Sequence, residues 1–250
     1  MKKLLLPLLS CLAIFDVANG QIPKSEVKGN KIITTVDRKT LPFSHIKVIG
    51  LHATLEKGNQ ETIRIQAESN IVKYVQSSVV GDTLIIQPDM SIPLRDIHSP
   101  VVHISFKNIK SILGSVAEIK LLSPIESDSL VLKLQTASRV EGEIYSKFLD
   151  LKLLTSQAVL SGTALEAKMS LITKSNLEGK DLKIQNLTLW TETLSKADLN
   201  VSQEITASIL GDNEISNAGA AIAVVKQAPI DKMFVPKFTN GRPDIYKFEK

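Results

Sequence analysis

The sequence predicts an all-β fold: a β-solenoid. The first observation behind this is period-two alternation of apolar residues in short runs bounded by Gly, Asn and Asp, the pattern of half-buried strands and their turns. The second is an internal repeat. Leu130, Leu132 and Leu134 lead to Thr136, Leu149, Leu151 and Leu153 to Thr155, Ala167, Met169 and Leu171 to Thr173, and Leu187 and Leu189 to Thr191. The third is the length of the unit. The threonines recur about every 18–19 residues, whereas a helical solenoid needs about 30 residues or more per unit and ~3.6-residue periodicity. An antiparallel sandwich also spaces its strands evenly, but the repeat favours the solenoid.

Residues 1–20 read as an export signal. Met1-Lys2-Lys3 is a positive start, Leu4 to Phe15 is apolar apart from Pro7 and Ser10, and Ala18-Asn19-Gly20 offers small residues to a signal peptidase. Cleavage is expected between Gly20 and Gln21. The apolar stretch would make a helix of about 18 Å, short of a ~30 Å hydrocarbon core, and no later run approaches ~18 residues, so no transmembrane segment is expected. Leu8-Leu9-Ser10-Cys11 resembles the lipobox of bacterial lipoproteins, whose Cys becomes the lipidated first residue. Cleavage at Gly20 leaves a mature chain without cysteine and so without disulfides, whereas lipidation at Cys11 tethers it to a membrane. By either route the protein is exported, to the periplasm, the outer membrane or the cell surface.

Residues 21–40 are polar and mixed, an extended leader that ends at Pro42. Residues 41–106 form the N-terminal β portion. Here Ile46 and Val48, then Leu51, Ala53 and Leu55, then Ile63, Ile65 and Ala67, then Leu84-Ile85-Ile86 make the strands, with turns at Gly58-Asn59 and Gly81-Asp82. Pro88, Pro93 and Pro100 make residues 87–100 a loop or junction. Residues 107–215 form the repeat portion, in coils of about 18–20 residues. Each coil buries its inward side chains on its neighbours about 4.8 Å away, so the leucines stack as a core ladder. The threonines mark corners, where small polar clusters are ordinary turn chemistry, and Gly142, Gly162 and Gly179 fall in further turns. Ile205, Ala207 and Ile209 lead to Leu210-Gly211 as one more copy. Residues 216–250 carry Phe234, Phe238, Tyr246 and Phe248 among Pro229, Pro236 and Pro243. They are expected to cap the last coil, whose open edge would otherwise pair with other chains.

The order of these features resembles the head GIN domain family, described as putative auto-transporter adhesins and common among exported bacterial proteins. The resemblance rests on Leu41-Pro42-Phe43-Ser44-His45-Ile46-Lys47-Val48, on Ala53 to Asn59, on Ile63 to Asn70, and on Gly81 to Ile86. It covers roughly residues 40–225. The family's later half repeats Ser-Gly-Ser-Gly turns. Gly114-Ser115 and Gly211-Asp212 match these best, while Thr136-Ala137-Ser138, Thr155-Ser156-Gln157 and Thr173-Lys174-Ser175 keep the spacing and lose the glycines. The resemblance implies a parallel β-helix, often in two portions, and a role in adhesion.

Charge and composition exclude several function classes. Thirty basic against 26 acidic residues leave +4, or 28 against 25 and +3 without residues 1–20, too weak and too evenly spread for a nucleic-acid partner. His45, His52, His98 and His103 lack metal-ligand spacing and no second thiol is present, so no metal and no cofactor is expected. No Gly-x-Ser-x-Gly elbow occurs. Glu141 and Glu178 share a phase but lie two coils apart, about 10 Å, at the edge of an inverting pair's ~6.5–9.5 Å, with Leu160 expected at that phase between them. No catalytic constellation stands out, and the chain is read as a non-enzyme. Trp190 directly follows inward Leu189, so alternation points it outward, where it could stack on a sugar ring.

The reading is an exported, non-catalytic β-solenoid that binds a polysaccharide or cell-surface protein, or scaffolds the envelope. The alternatives are a carbohydrate-active β-helix enzyme, which clustered carboxylates in a cleft would favour, and a lipid or small-ligand carrier, which an apolar groove would favour.

Overall fold

The computed structural model describes residues 26–225, 237–238 and 246–248. Cys11, Gly20 and Gln21, and most of the expected cap, lie outside these residues. The N-terminal portion contains β1 (Val27–Lys28), β2 (Ile33–Lys39), β3 (His45–Ile49), β4 (His52–Lys57), β5 (Thr62–Glu68), β6 (Val75–Val80), β7 (Thr83–Pro88), β8 (Leu94–Arg95) and β9 (Val101–Phe106). The repeat portion contains β10 (Ser111–Ser115), β11 (Glu118–Leu121), β12 (Ile125–Gln135), β13 (Arg139–Leu154), β14 (Gln157–Ile172), β15 (Asn176–Glu178), β16 (Leu182–Glu192), β17 (Lys196–Leu199), β18 (Val201–Leu210), β19 (Glu214–Asn217) and β20 (Ile222–Val225). Two short strands, β21 (Lys237–Phe238) and β22 (Tyr246–Phe248), pair in parallel with β19 and β20 and so continue the stack.

The repeat portion is a parallel β-solenoid of about six turns. One broad sheet runs the length of the molecule through β7, β3, β10, β12, β13, β14, β16, β18 and β20, every neighbouring pair parallel. The two portions are therefore joined by continuous hydrogen bonding. The first portion departs from a plain stack of coils, because β2 with β5, β5 with β9, and β6 with β7 pair antiparallel. Residues 33–39, within the stretch expected as a leader, are the edge strand β2. Its Arg38 donates to the carbonyls of Val75 at 2.6 Å and Val72 at 3.0 Å, tying that edge to the start of β6.

Leucine burial holds the coils together. Leu132, Leu151, Met169, Leu189 and Ala207 stand in one register column, and each is buried. Removing such area from water stabilises by roughly 25 cal/mol per Å². The column beside it corrects the repeat as read from sequence. Leu134, Leu153 and Leu171 are followed in register by Thr191 and then Ile209. Thr191 is a core position, and the corner residue of that coil is Thr193, φ 34°. The coil that runs from Leu171 to its partner Thr191 is therefore longer than the threonine spacing implied, and longer than the one from Leu153 to Leu171.

At Thr191 the core holds a hydroxyl with no hydrogen-bond partner among the described residues. An unsatisfied buried polar group costs about 1–3 kcal/mol. Thr191→Val keeps the shape and removes the hydroxyl, so the variant is expected to gain ~1 kcal/mol, a rise of about 2–4 °C in Tm, measurable by calorimetry. An unchanged or lower Tm would contradict this placement.

The corners show why glycine can be missing from the turns. Thr136, Ala137, Thr155, Thr173, Lys174, Thr193 and Leu194 all have φ between 34° and 58°. This left-handed region costs a side-chain-bearing residue about 1 kcal/mol or more. A buried serine ladder supports it from inside. The Oγ atoms of Ser138, Ser156, Ser175 and Ser195 accept the amide N–H of Ala117, Ser138, Ser156 and Ser175 respectively, at 3.1–3.5 Å. Each hydroxyl donates back to a carbonyl two or three residues earlier, at 2.7–2.9 Å. Asn213 ends the series, its Oδ1 accepting the Ser195 amide at 2.9 Å. Gly114 is no turn residue; it lies within β10, where a Cβ would come 2.8 Å from Leu134 Cδ2.

Candidate functional site: the outer face of the broad sheet

Alternation along the broad sheet turns every second residue to solvent. One outward column reads Lys47, Leu113, Lys133, Lys152, Ser170, Trp190 and Ser208, each residue the register partner of the next. Trp190 is 40% exposed in the middle of a strand, so part of its ring is open to solvent. The coils on either side carry only serines at its register, which leaves the indole free of bulky neighbours in its column. Its Nε1–H donates to Glu192 Oε1 at 2.8 Å on the same strand. With the N–H occupied, the ring has its apolar face to offer. An indole held this way has the chemistry to stack on a flat, partly apolar ligand such as a pyranose.

A cleft of about 560 Å³ lies elsewhere, lined by Glu141, Glu143, Glu178, Lys180, Asp181 and Asp198. It gathers the two carboxylates singled out in the sequence, Glu141 and Glu178, and adds Glu143, Asp181 and Asp198. Glu141 pairs in register with Val159, Val159 with Glu178, and Glu178 with Asp198. The intervening residue is thus Val159, and Leu160 points into the core. Glu178 and Asp198 sit on adjacent strands, about 4.8 Å apart in backbone, where a retaining pair of ~5–5.5 Å would fit. Each is already engaged: Glu178 accepts from Asn176 Nδ2 at 3.3 Å and Asp198 from Ser216 Oγ at 2.6 Å. Neither is buried, whereas a catalytic acid at neutral pH usually depends on burial to keep its proton.

Within the N-terminal portion an apolar chamber of about 280 Å³ is lined by Leu51, Val75, Met90, Ile92, Leu94 and Ile97. That lies just under the ~300–1,000 Å³ of ordinary ligand pockets, and Met90 at its rim is exposed. The four histidines are dispersed, each bonded to a protein partner: His45 to Ser111 at 2.6 Å, His52 to Glu118 at 2.8 Å, His98 to Glu68 at 2.7 Å and His103 to Thr54 at 2.7 Å. Among the described residues no group of His, Cys, Asp and Glu is arranged to hold a metal ion, and no helix is long and apolar enough to cross a membrane.

Sequence reasoning found Trp190 and its direction but not the lysines that share its column. The signal was present: Lys133, Lys152, Ser170, Trp190 and Ser208 each precede the last residue of their inward triplet, so aligning the repeats brings them together.

Comparison with known proteins adds the family. The family described as "Putative auto-transporter adhesin, head GIN domain" matches residues 42–221. Similar solved structures include a putative adhesin from Bacteroides fragilis, with a TM-score of 0.70 and 18% identity over 81% of this chain and 100% of that one. A putative adhesin from Parabacteroides merdae has a TM-score of 0.67 and 18% identity over 90% and 99% of the two chains. A putative lipid binding protein from Parabacteroides distasonis has a TM-score of 0.67 and 16% identity over 81% and 96%. At these identities the likeness is one of fold. No curated protein matches the chain.

Proposed function

The chain belongs to the head GIN domain family, and from that premise we propose that it is an exported, non-catalytic binding module that holds an extended polysaccharide against its broad sheet, with Trp190 as the stacking platform. The observation that carries this reading is the open indole of Trp190, tied by Glu192 and flanked in register by Ser170 and Ser208. A flat parallel sheet suits a long polymer because it repeats its side chains at about 4.8 Å, so an extended chain meets a regular series of contacts rather than one pocket. The mechanism is display by a rigid scaffold. Its place outside the cytoplasm belongs to the same proposal, supported by the signal-like residues 1–20 and by the adhesin descriptions of proteins with this fold.

Isothermal titration with soluble xylan, laminarin, alginate and polygalacturonate tests the reading. At least one polymer is expected to bind, with Trp190→Ala weakening it about tenfold, ~1.4 kcal/mol, at unchanged Tm. No reducing sugar is expected to be released. Equal binding by wild type and Trp190→Ala would remove Trp190 from the site, and release of reducing ends would favour the carboxylate cleft instead.

A further inference from the structure

The broad face carries more than an aromatic, and its charges are unevenly placed. In the column that holds Trp190, Lys133 and Lys152 are register partners on adjacent coils, and Lys47 stands two steps beyond Lys133 with Leu113 between. Lys168 lies in the neighbouring outward column, on the strand next to Trp190. Lys133, Lys152 and Lys168 are exposed and Lys47 half-buried. Among the described residues none of the four has a carboxylate within ion-pair distance. Lys31, Lys57, Lys107, Lys147 and Lys196 are paired, while other lysines such as Lys110, Lys120 and Lys183 also lack a carboxylate at that distance among the described residues. What distinguishes these four is that they gather on the face that carries Trp190. Two acids flank the track. Asp150 is the register partner of Lys168, and Glu192 is engaged by the Trp190 N–H. Glu166 and Glu204 lie one column farther out, engaged by Asn186 and Thr206. Four cations against two anions leave the track itself positive.

From this we propose that the polymer recognised at Trp190 is an acidic polysaccharide, a uronic-acid chain lying along the solenoid axis, with one sugar stacked on Trp190 and carboxylates near Lys152, Lys133 and Lys168. The inference rests on the sugar-binding reading above and specifies its ligand class. Leaving a cation unpaired on a surface rich in acids forgoes favourable Coulomb energy, and a polyanion supplies the missing partner in trans. The spacing agrees: successive strands are ~4.8 Å apart, roughly the advance of an extended pyranose chain per sugar, so each coil faces about one sugar. Trp190 and Lys152 are two strands apart, about 10 Å, which places the stacked sugar and the first lysine on residues once removed. A nucleic acid is the less suitable polyanion, since the track offers one aromatic where base stacking would use several.

The test uses polygalacturonate and its fully methyl-esterified form, which share a backbone and differ in charge. Titration at 50 mM NaCl is expected to show at least tenfold tighter binding of the acid form. That preference should shrink at 500 mM NaCl, where exposed charges are screened within a few ångströms. Lys133→Glu/Lys152→Glu should abolish the preference while leaving binding of the ester intact, Glu192→Gln should strengthen acid binding, and Trp190→Ala should weaken both polymers. Equal, Trp190-dependent binding of both polymers would overturn the acidic-ligand inference and leave the sugar-binding reading standing. Acid binding that survives Trp190→Ala but not the lysine reversals would do the opposite damage, since it would make the face a simple polyanion site. Binding of a thymidine oligonucleotide as tight as that of polygalacturonate, or no binding of polygalacturonate, would also overturn it.

Discussion

Gly162→Ala is expected to destabilise the protein by on the order of 3–5 kcal/mol, enough to leave little folded chain at 37 °C if total stability is of ordinary size. Gly162 lies inside β14 with φ 106°, and a Cβ there would stand 2.0 Å from the carbonyl oxygen of Ile144 on the preceding coil. That oxygen belongs to backbone fixed by parallel pairing on both sides, so it cannot rotate away as a side chain would. Gly81→Ala separates the two penalties. Gly81 has φ 63° in the β6–β7 turn and nothing within 4 Å of a built Cβ, so it incurs only the conformational cost, about 1 kcal/mol. Urea unfolding of both variants measures the difference. Equal losses would mean that adjacent coils do not approach at Gly162 as described.

Glu68→Gln is expected to flatten the acid limb of the stability profile. The Glu68 side chain is shielded from solvent at the end of β5. Its Oε1 accepts the His98 amide at 2.9 Å and lies 2.7 Å from His98 Nδ1, and its Oε2 accepts the Lys31 amide at 3.1 Å. The His98 amide above all, then the Lys31 amide, the His98 ring and the Lys31 charge hold its pKa at about 2, against the opposing effect of desolvation. A carboxyl whose folded pKa lies below its unfolded value near 4.5 contributes stability that is complete above the unfolded pKa. That stability is lost as pH falls from about 4.5 toward 2, because the unfolded chain takes up the proton first. Wild-type Tm should therefore fall more steeply than that of Glu68→Gln across this window. At pH 7 the variant should be several degrees less stable, since a neutral amide cannot accept from all of these donors. Parallel acid limbs would show that Glu68 is not the clamp between the residue 31 and residue 98 segments. Gly29 fits the same clamp: a Cβ there would meet Glu68 Oε2 at 1.9 Å.

Inward positions were the legible part of the sequence. Leu130 to Leu134 and Leu149 to Leu153 announce strand, repeat and core at once, because burial on two neighbouring coils strongly favours apolar residues at inward positions. The register was less legible where a polar residue stands in the core. Thr191 mimics the corner threonines in sequence, and only its pairing with Leu171 shows that this coil is longer than the ones before it. The left-handed corners at Thr155 and Lys174 were hidden because their compensation is remote, in serines that accept amides from the preceding coil. The antiparallel pairing of β2 was hidden for a different reason: alternate residues of Ile33–Lys39 are only half-buried, so the strand carries no strong apolar period. At the candidate site Trp190 could be placed outward by counting from Leu189. Its relation to Lys133 and Lys152 emerges only when coils of unequal length are superposed.

The most direct test of the binding face uses the fact that Trp190 is the only tryptophan in the chain. Its emission reports on the proposed site and nowhere else. Titrating the folded protein with polygalacturonate should move the emission to shorter wavelength and saturate, as a stacked sugar displaces water from the ring. The same titration followed by calorimetry should give the same Kd. Binding that registers in the calorimeter while Trp190 emission stays unchanged would place the ligand on another surface and contradict the account.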